Sequence, residues 1–502
     1  MNKLNNYLIM LIYFIIFMII YFVGDIMFSG FHMMEEHEIM GLHDQYTNKN
    51  IASSLIQIID SCKYRLSPFL EFYLNVGALL LGKKMVLWHI FRIFIISLAC
   101  TASFSVIKFY LKSFPLSFII PLLLFGGTAS EVIVRIATVE IFSILFLSLT
   151  ISRILKNKID ITLLLLLFLV CFIKENLILI IPFFSLIYFY HSPYDKKLSH
   201  FLKDIQFKKL TVFLLVCLVS MIIRNVYFIS NQNESLYILS QLSLKSYLEL
   251  LEQFVTYIWN KKIILLEYSL FLILILYGFV LTRKKKYSKY ILISLVVIFI
   301  SQFLLYINVG FSGRYFIPTN FTLLLGFVMM ISLLNKIPKT VYFLVFILFT
   351  TQTFTSISNV KTYSMEGRSI SFYLNTLKET CKNKPCRVLL VGDKLQNIEM
   401  FQALIKYSIY TVNDANVKIK PLQPNIEQFM KYSNILDTST VRFFEKSFDH
   451  HYKDFIDNEY NDINYDLIVY VGGADKINYT KTPVNVLHYG ERWFEFEIHL
   501  FN

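Results

Sequence analysis

Long apolar runs separated by short basic connections fill the first 360 residues of the chain. A helix that crosses a membrane needs about 20 apolar residues, with about 17 as the lower limit. Eleven runs are candidates: 7–23, 86–111, 114–127, 131–151, 160–174, 176–190, 210–229, 263–282, 290–308, 315–334 and 340–357. The third, fifth and sixth are short, and 160–190 reads as two half-length helices or one long kinked helix. Within the connection 24–85, the apolar stretches 51–59 and 68–81 predict short helices lying in the membrane interface. After residue 361 the pattern becomes that of a soluble domain. Residues 387–393 and 466–473 read as buried strands, 398–407 as a helix, and 484–488 with 493–500 as a closing hairpin. The expected fold is an α-helical polytopic membrane protein, residues 1–357, with a small C-terminal α/β domain, residues 361–502.

The connections orient this layout. With a cytoplasmic N-terminus, the cytoplasmic connections are 112–113, 152–159, 191–209, 283–289 and 335–339. Each contains lysine or arginine. Cytoplasmic loops of membrane proteins carry such an excess. The pattern places the acidic connection 24–85, the connection 230–262 and the C-terminal domain on the outer face of a cytoplasmic (inner) membrane.

Composition supports the membrane reading. The chain is 56% hydrophobic, with a mean hydropathy of +0.55, too apolar for a soluble protein of 502 residues. The net charge of +13 is not a nucleic-acid footprint. Residues 361–502 hold 17 basic and 18 acidic residues, so the excess lies in the short connections of the first part. The six cysteines show no metal spacing. Cys100, Cys171 and Cys217 fall in apolar runs as small buried hydrophobes, whereas Cys381 and Cys386 would pair if the C-terminal domain lies in an oxidising space.

Ionisable groups in or beside membrane spans are costly, so they mark candidate function. Five clusters stand out. Asp25 ends the first span, and Glu35-Glu36-His37-Glu38 follow. Adjacent carboxylates raise one another's pKa, which suits a general base; the bland alternative is a solvated acidic loop. Arg65, before Pro68, is placed to hold a phosphate or to anchor a helix at the interface. Glu131 and Arg135 are four apart and predict an intramembrane ion pair, more structural than catalytic. Lys174 and Glu175 sit between two apolar runs, either as a paired or cavity-facing charge or as a tight turn. Arg314 and Tyr315 open the tenth span with Pro318 in its first turn, where proline is tolerated. No cluster spells out a metal site; a metal requirement would take the form of carboxylate-bound Mg²⁺ or Mn²⁺.

Taken together, the clusters resemble the GT-C superfamily of polytopic glycosyltransferases over roughly residues 1–335. Glu35-Glu36 is similar to the acidic motif of the first outer loop in that family. Arg65-Leu66-Ser67-Pro68 is similar to its Arg-x-x-Pro element, and Lys174-Glu175 with Pro182 to its Lys-Glu pair and following proline. Arg314-Tyr315-Phe316-Ile317-Pro318 is one residue shorter than the Arg-Tyr-x-x-x-Pro start of a late helix. Many members have Asp-Glu or Asp-Asp where this chain has Glu-Glu, so the base stays open among Asp25, Glu35 and Glu36. The resemblance implies an inverting transfer of sugar from a polyprenyl-phosphate donor to a glycan acceptor at the outer membrane face. Arg65, Lys174 and Arg314 would bind the donor phosphate, with Glu131, Arg135, Glu175 and Tyr315 in support. Size and layout look like bacterial enzymes that decorate surface polysaccharide, such as O-antigen glucosyltransferases. The rival readings are a polysaccharide polymerase and a lipid or polysaccharide flippase. Gly392-Asp393 after a strand is no nucleotide site if the domain lies outside.

Overall fold

Backbone groups with no water to bind must pair within their own segment, so apolar runs at membrane depth fold as helices. The computed structural model describes residues 3–30, 36–47, 51–63, 68–173, 180–191, 204–231, 262–309, 317–382, 386–392, 417–422, 465–472, 482–490 and 495–501, together with Leu177, Leu404, Tyr407, Ser408 and Thr411. Helix α1 (Lys3–Val23) leads into three shorter helices, α2 (Glu36–Thr47), α3 (Ile51–Lys63) and α4 (Pro68–Leu81). The last two are the short helices expected in connection 24–85. The long α5 (Met85–Leu111) follows, then α6 (Phe114–Leu123). A single 3-10 turn (Gly127–Ser130) and the one-turn α7 (Glu131–Val134) come next, bent by 64° from α6. The bundle continues with α8 (Glu140–Leu155), α9 (Ile161–Ile173), α10 (Ile181–His191), α11 (Ile205–Asn231), α12 (Lys262–Thr282), α13 (Lys286–Val309) and α14 (Ile317–Ile331). Helix α15 (Lys339–Thr380) runs for 42 residues into the C-terminal domain.

Among the described residues, five helices are long and apolar enough to cross a membrane: those of α1, α5, α11, α12 and α15, or six if α6 and the bend after it form one span. The eleven expected spans are not reached. An α-helix rises about 1.5 Å per residue, so the 13 residues of α9 and the 15 of α14 fall short of a hydrocarbon core about 30 Å thick. The runs 114–127 and 131–151 are not two straight spans. The chain leaves helical geometry after Leu123, makes the bend, and resumes as α8 at Glu140. The connection 230–262 lies almost wholly outside the described residues.

The C-terminal domain is a five-stranded sheet in the order β2-β1-β3-β5-β4, formed by β1 (Cys386–Gly392), β2 (Val417–Leu422), β3 (Leu467–Val471), β4 (Asn485–Tyr489) and β5 (Phe496–Leu500). Strands β2, β1 and β3 are parallel, and the β5–β4 hairpin adds antiparallel to β3. Strand β2 was not expected; Pro421 suits it because β2 is an edge, where a missing N–H costs no ladder bond. One face of the sheet packs Val388, Leu390, Val469 and Ile498 against Ile370, Tyr373 and Leu377 of α15, so the end of the long helix is itself part of this domain's core. Of the expected helix 398–407, only Leu404 and Tyr407 lie among the described residues, and both are helical and buried. Cys381 and Cys386 form a disulfide between the end of α15 and the start of β1, with Cα atoms 5.3 Å apart. Cys100, Cys171 and Cys217 are buried and free.

Candidate functional site

The bent segment between α6 and α8 is irregular backbone inside a helical bundle. Its peptide groups need partners, because each buried unpaired group costs free energy. Side chains from five helices supply them. Arg92, fully buried in α5, donates through Nε to Val132 O at 2.8 Å and through Nη1 to Ile136 O and Thr138 O, both at 3.0 Å. Its Nη2 also donates to Val132 O and Thr138 Oγ1. The hydroxyl of Tyr21 in α1 donates to Ile133 O. On the other side of the bend, the buried Glu267 of α12 accepts from Thr128 N at 3.0 Å and from Gln352 Nε2 of α15 at 2.8 Å. Ser356 Oγ accepts from Gly127 N at 2.9 Å, and Asn359 Nδ2 donates to Ser130 Oγ at 2.9 Å.

Glu36 belongs to this assembly. It opens α2, is fully buried, and its Oε1 accepts from Ile136 N at 2.7 Å. The acidic connection is therefore anchored on the bend itself. It is also held by contacts with α4 and the turn after it. Tyr46 donates to Asn75 Oδ1, Asn75 Nδ2 donates to Glu71 O at 2.7 Å, and Lys83 pairs with Asp44 at 2.6 Å. Tyr407 of the C-terminal domain is buried close by. Burial first, then the Glu36 and Glu366 carboxylates, push its phenol well above the ordinary tyrosine range.

Four of the sequence candidates meet here. Glu131 and Arg135 form the expected ion pair across the single turn of α7, and the Arg135 guanidinium lies 5.1 Å from the centre of the Tyr363 ring of α15. The next residue of α15, Ser364, donates to the backbone carbonyl of Asp25 at 2.8 Å. The Asp25 side chain pairs with Arg368. Asp25, Glu36, Glu131 and Arg135 thus lie at one end of the bundle, under the C-terminal domain. Glu35, Arg65, Lys174, Glu175, Arg314 and Tyr315 lie outside the described residues.

Arg92, Glu267 and Gln352 were not expected. Each carried a legible signal, a charged or amide side chain within an apolar run. Among the described residues, no group of three or more His, Cys, Asp or Glu side chains is placed to hold a metal ion. The arrangement places carboxylates and guanidinium groups together where irregular backbone faces the end of a helical bundle, a setting in which proton transfer and anion binding are both chemically open. No known protein family, curated protein or solved structure matches the chain.

Proposed function

We propose that the chain is a membrane glycosyltransferase of the GT-C type. It moves a sugar from a polyprenyl-phosphate donor to a surface polysaccharide or lipid-linked glycan on the outer face of the cytoplasmic membrane. The observation that carries this reading is the anchoring of the acidic motif: Glu36 is fixed to Ile136 beside the Glu131–Arg135 pair, at the end of the bundle that meets the C-terminal domain. A disulfide in that domain fits an oxidising compartment.

Glu36 is engaged by a backbone N–H and sealed from solvent, which suits an anchor. Its neighbour Glu35 is our choice of base. In the reaction, the acceptor hydroxyl gives its proton to the Glu35 carboxylate as its oxygen bonds to the anomeric carbon. The bond from that carbon to the phosphate oxygen breaks with inversion, and the phosphate leaves carrying the electron pair. Arg65, Lys174 and Arg314 neutralise the leaving phosphate; electrostatic stabilisation of this kind is worth several kcal/mol of barrier. In a membrane preparation given polyprenyl-phosphate glucose and acceptor glycan, Glu35→Gln should lower the transfer rate by about 100-fold or more while the protein remains folded. Glu36→Gln should lower both rate and thermal stability. Transfer at the parental rate by both variants would overturn the assignment.

The bend and the buried Glu267 favour one alternative, a flippase, because broken helices with charged groups mark transport sites. Loss of lipid-linked glycan movement in Glu267→Gln, with no transferase activity in the parent, would decide for it.

A further inference from the structure

A cleft of about 420 Å³ opens where the end of α1, the middle of α15 and the end of β4 meet. Its wall includes Val23, Asp25, Lys361, Ser364, Arg368 and Tyr489. Three of these are charged. Among the described residues of the wall, Lys361 and Arg368 against Asp25 leave one net positive charge. The Asp25–Arg368 ion pair crosses the cleft from α1 to α15. Tyr489 is held in place by stacking on Phe372 of α15, their ring centres 4.7 Å apart.

What lies below the cleft identifies its occupant. On α1 the exposed residues Leu8, Leu11, Ile15, Ile19 and Phe22 recur every three or four positions, so they form one stripe along the helix. On α15 the exposed Phe343, Phe346, Phe354 and Ile357 form a second stripe, and Lys361 and Arg368 continue it on the same helix face. Both stripes are apolar over the span; α1 ends at Val23 and the α15 stripe continues to Lys361, both residues of the cleft wall. Lys361 comes one helical turn above Ile357, about 6 Å higher at 1.5 Å per residue, which is the depth of lipid headgroups above the hydrocarbon core. The two helices are also close here: a methyl group on Gly24 would overlap the side chain of Val360.

We propose that this cleft binds the headgroup of an anionic glycerophospholipid. The phosphodiester sits between Lys361 and Arg368, and the acyl chains lie along the apolar stripes of α1 and α15. The net charge of the cleft selects an anionic headgroup over a zwitterionic one. The bound lipid ties α1 to the helix that carries the C-terminal domain. This site uses none of the donor-phosphate residues, and it shares only Asp25 with the residues considered for sugar transfer.

The full chain, purified in a neutral detergent, is titrated with phosphatidylglycerol, phosphatidylcholine or polyprenyl phosphate. Retained lipid is counted by native mass spectrometry and thermal midpoints are followed in parallel. Phosphatidylglycerol should be retained at one equivalent and raise the midpoint saturably, as a ligand of the folded state does; phosphatidylcholine should do neither. Lys361→Glu makes the net charge of the cleft negative and leaves the Asp25–Arg368 pair in place. It should weaken phosphatidylglycerol retention at least tenfold with the lipid-free midpoint unchanged, and Lys361→Gln should weaken it less. Three results would overturn the proposal: equal retention of phosphatidylcholine, parental phosphatidylglycerol retention by Lys361→Glu, or displacement of phosphatidylglycerol by equimolar polyprenyl phosphate.

Discussion

Arg92 is the residue on which the interior of the bundle turns. A guanidinium has five N–H donors and no acceptor, and here it is spent on carbonyls and a hydroxyl of one irregular segment. Removing it leaves several carbonyls unpaired, each costing about 1–3 kcal/mol. Arg92→Met, which keeps the volume but not the donors, should therefore lower stability by about 3 kcal/mol or more. The expected readout is a sharp fall in the thermal midpoint and in the amount of protein recovered from membranes, with Arg92→Lys intermediate because one ammonium cannot span the same acceptors. The position was readable in advance as an arginine within the run 86–111. Its partners were not, because most of them are backbone carbonyls that no residue type announces.

At the scale of elements, the bend is where sequence and structure part. The runs 114–127 and 131–151, on either side of residue 130, read as two spans. Hydrophobic patterning measures burial and is silent on whether backbone is regular. The signs of interruption were Pro121 inside α6 and the pair Gly126-Gly127. Gly127 has φ +63°, in the left-handed region, and a methyl group there would collide with the Glu267 carboxylate. Gly127→Ala should cost about 1–2 kcal/mol for the backbone conformation alone, and more because Glu267 must give way. A thermal midpoint near that of the parent would show that the bend does not require this geometry. The acidic connection was more legible, since the short helices at 51–59 and 68–81 follow from apolar content bounded by polar residues. Helix α9 was legible as half-length from its own short run, whereas α14 was overcounted because the run 315–334 is longer than its helix.

For the whole molecule, the decisive quantity is which side of the membrane each end of the bundle faces. Parallel strands β1 and β3 were legible as short apolar runs, and the hairpin at the C-terminus likewise. The docking of the sheet on α15 was not, because the residues that fuse them (Ile370, Tyr373 and Leu377) follow the apolar span without a break in helix. That continuity ties the compartment of the sheet to the direction of α15. Its start lies beside the connection after α5, where Ser113 Oγ is 3.1 Å from Tyr342 Oη, and its far end carries the Cys381–Cys386 disulfide. If the basic connections face the cytoplasm, the disulfide lies outside, where it can persist. In intact cells, a membrane-impermeant maleimide should then leave the parent unlabelled at these positions and label the single variants Cys381→Ser and Cys386→Ser at the cysteine that remains. The closed loop is short, so losing the bond should cost only about 2 kcal/mol, and the variants should still fold. Labelling that needs broken cells would put the C-terminal domain in the cytoplasm, and with it the end of the bundle where Asp25, Glu36, Glu131 and Arg135 meet. A polyprenyl-phosphate donor reaching that end would then have to come from the opposite leaflet, and the outer-face transfer reaction would lose its geometry.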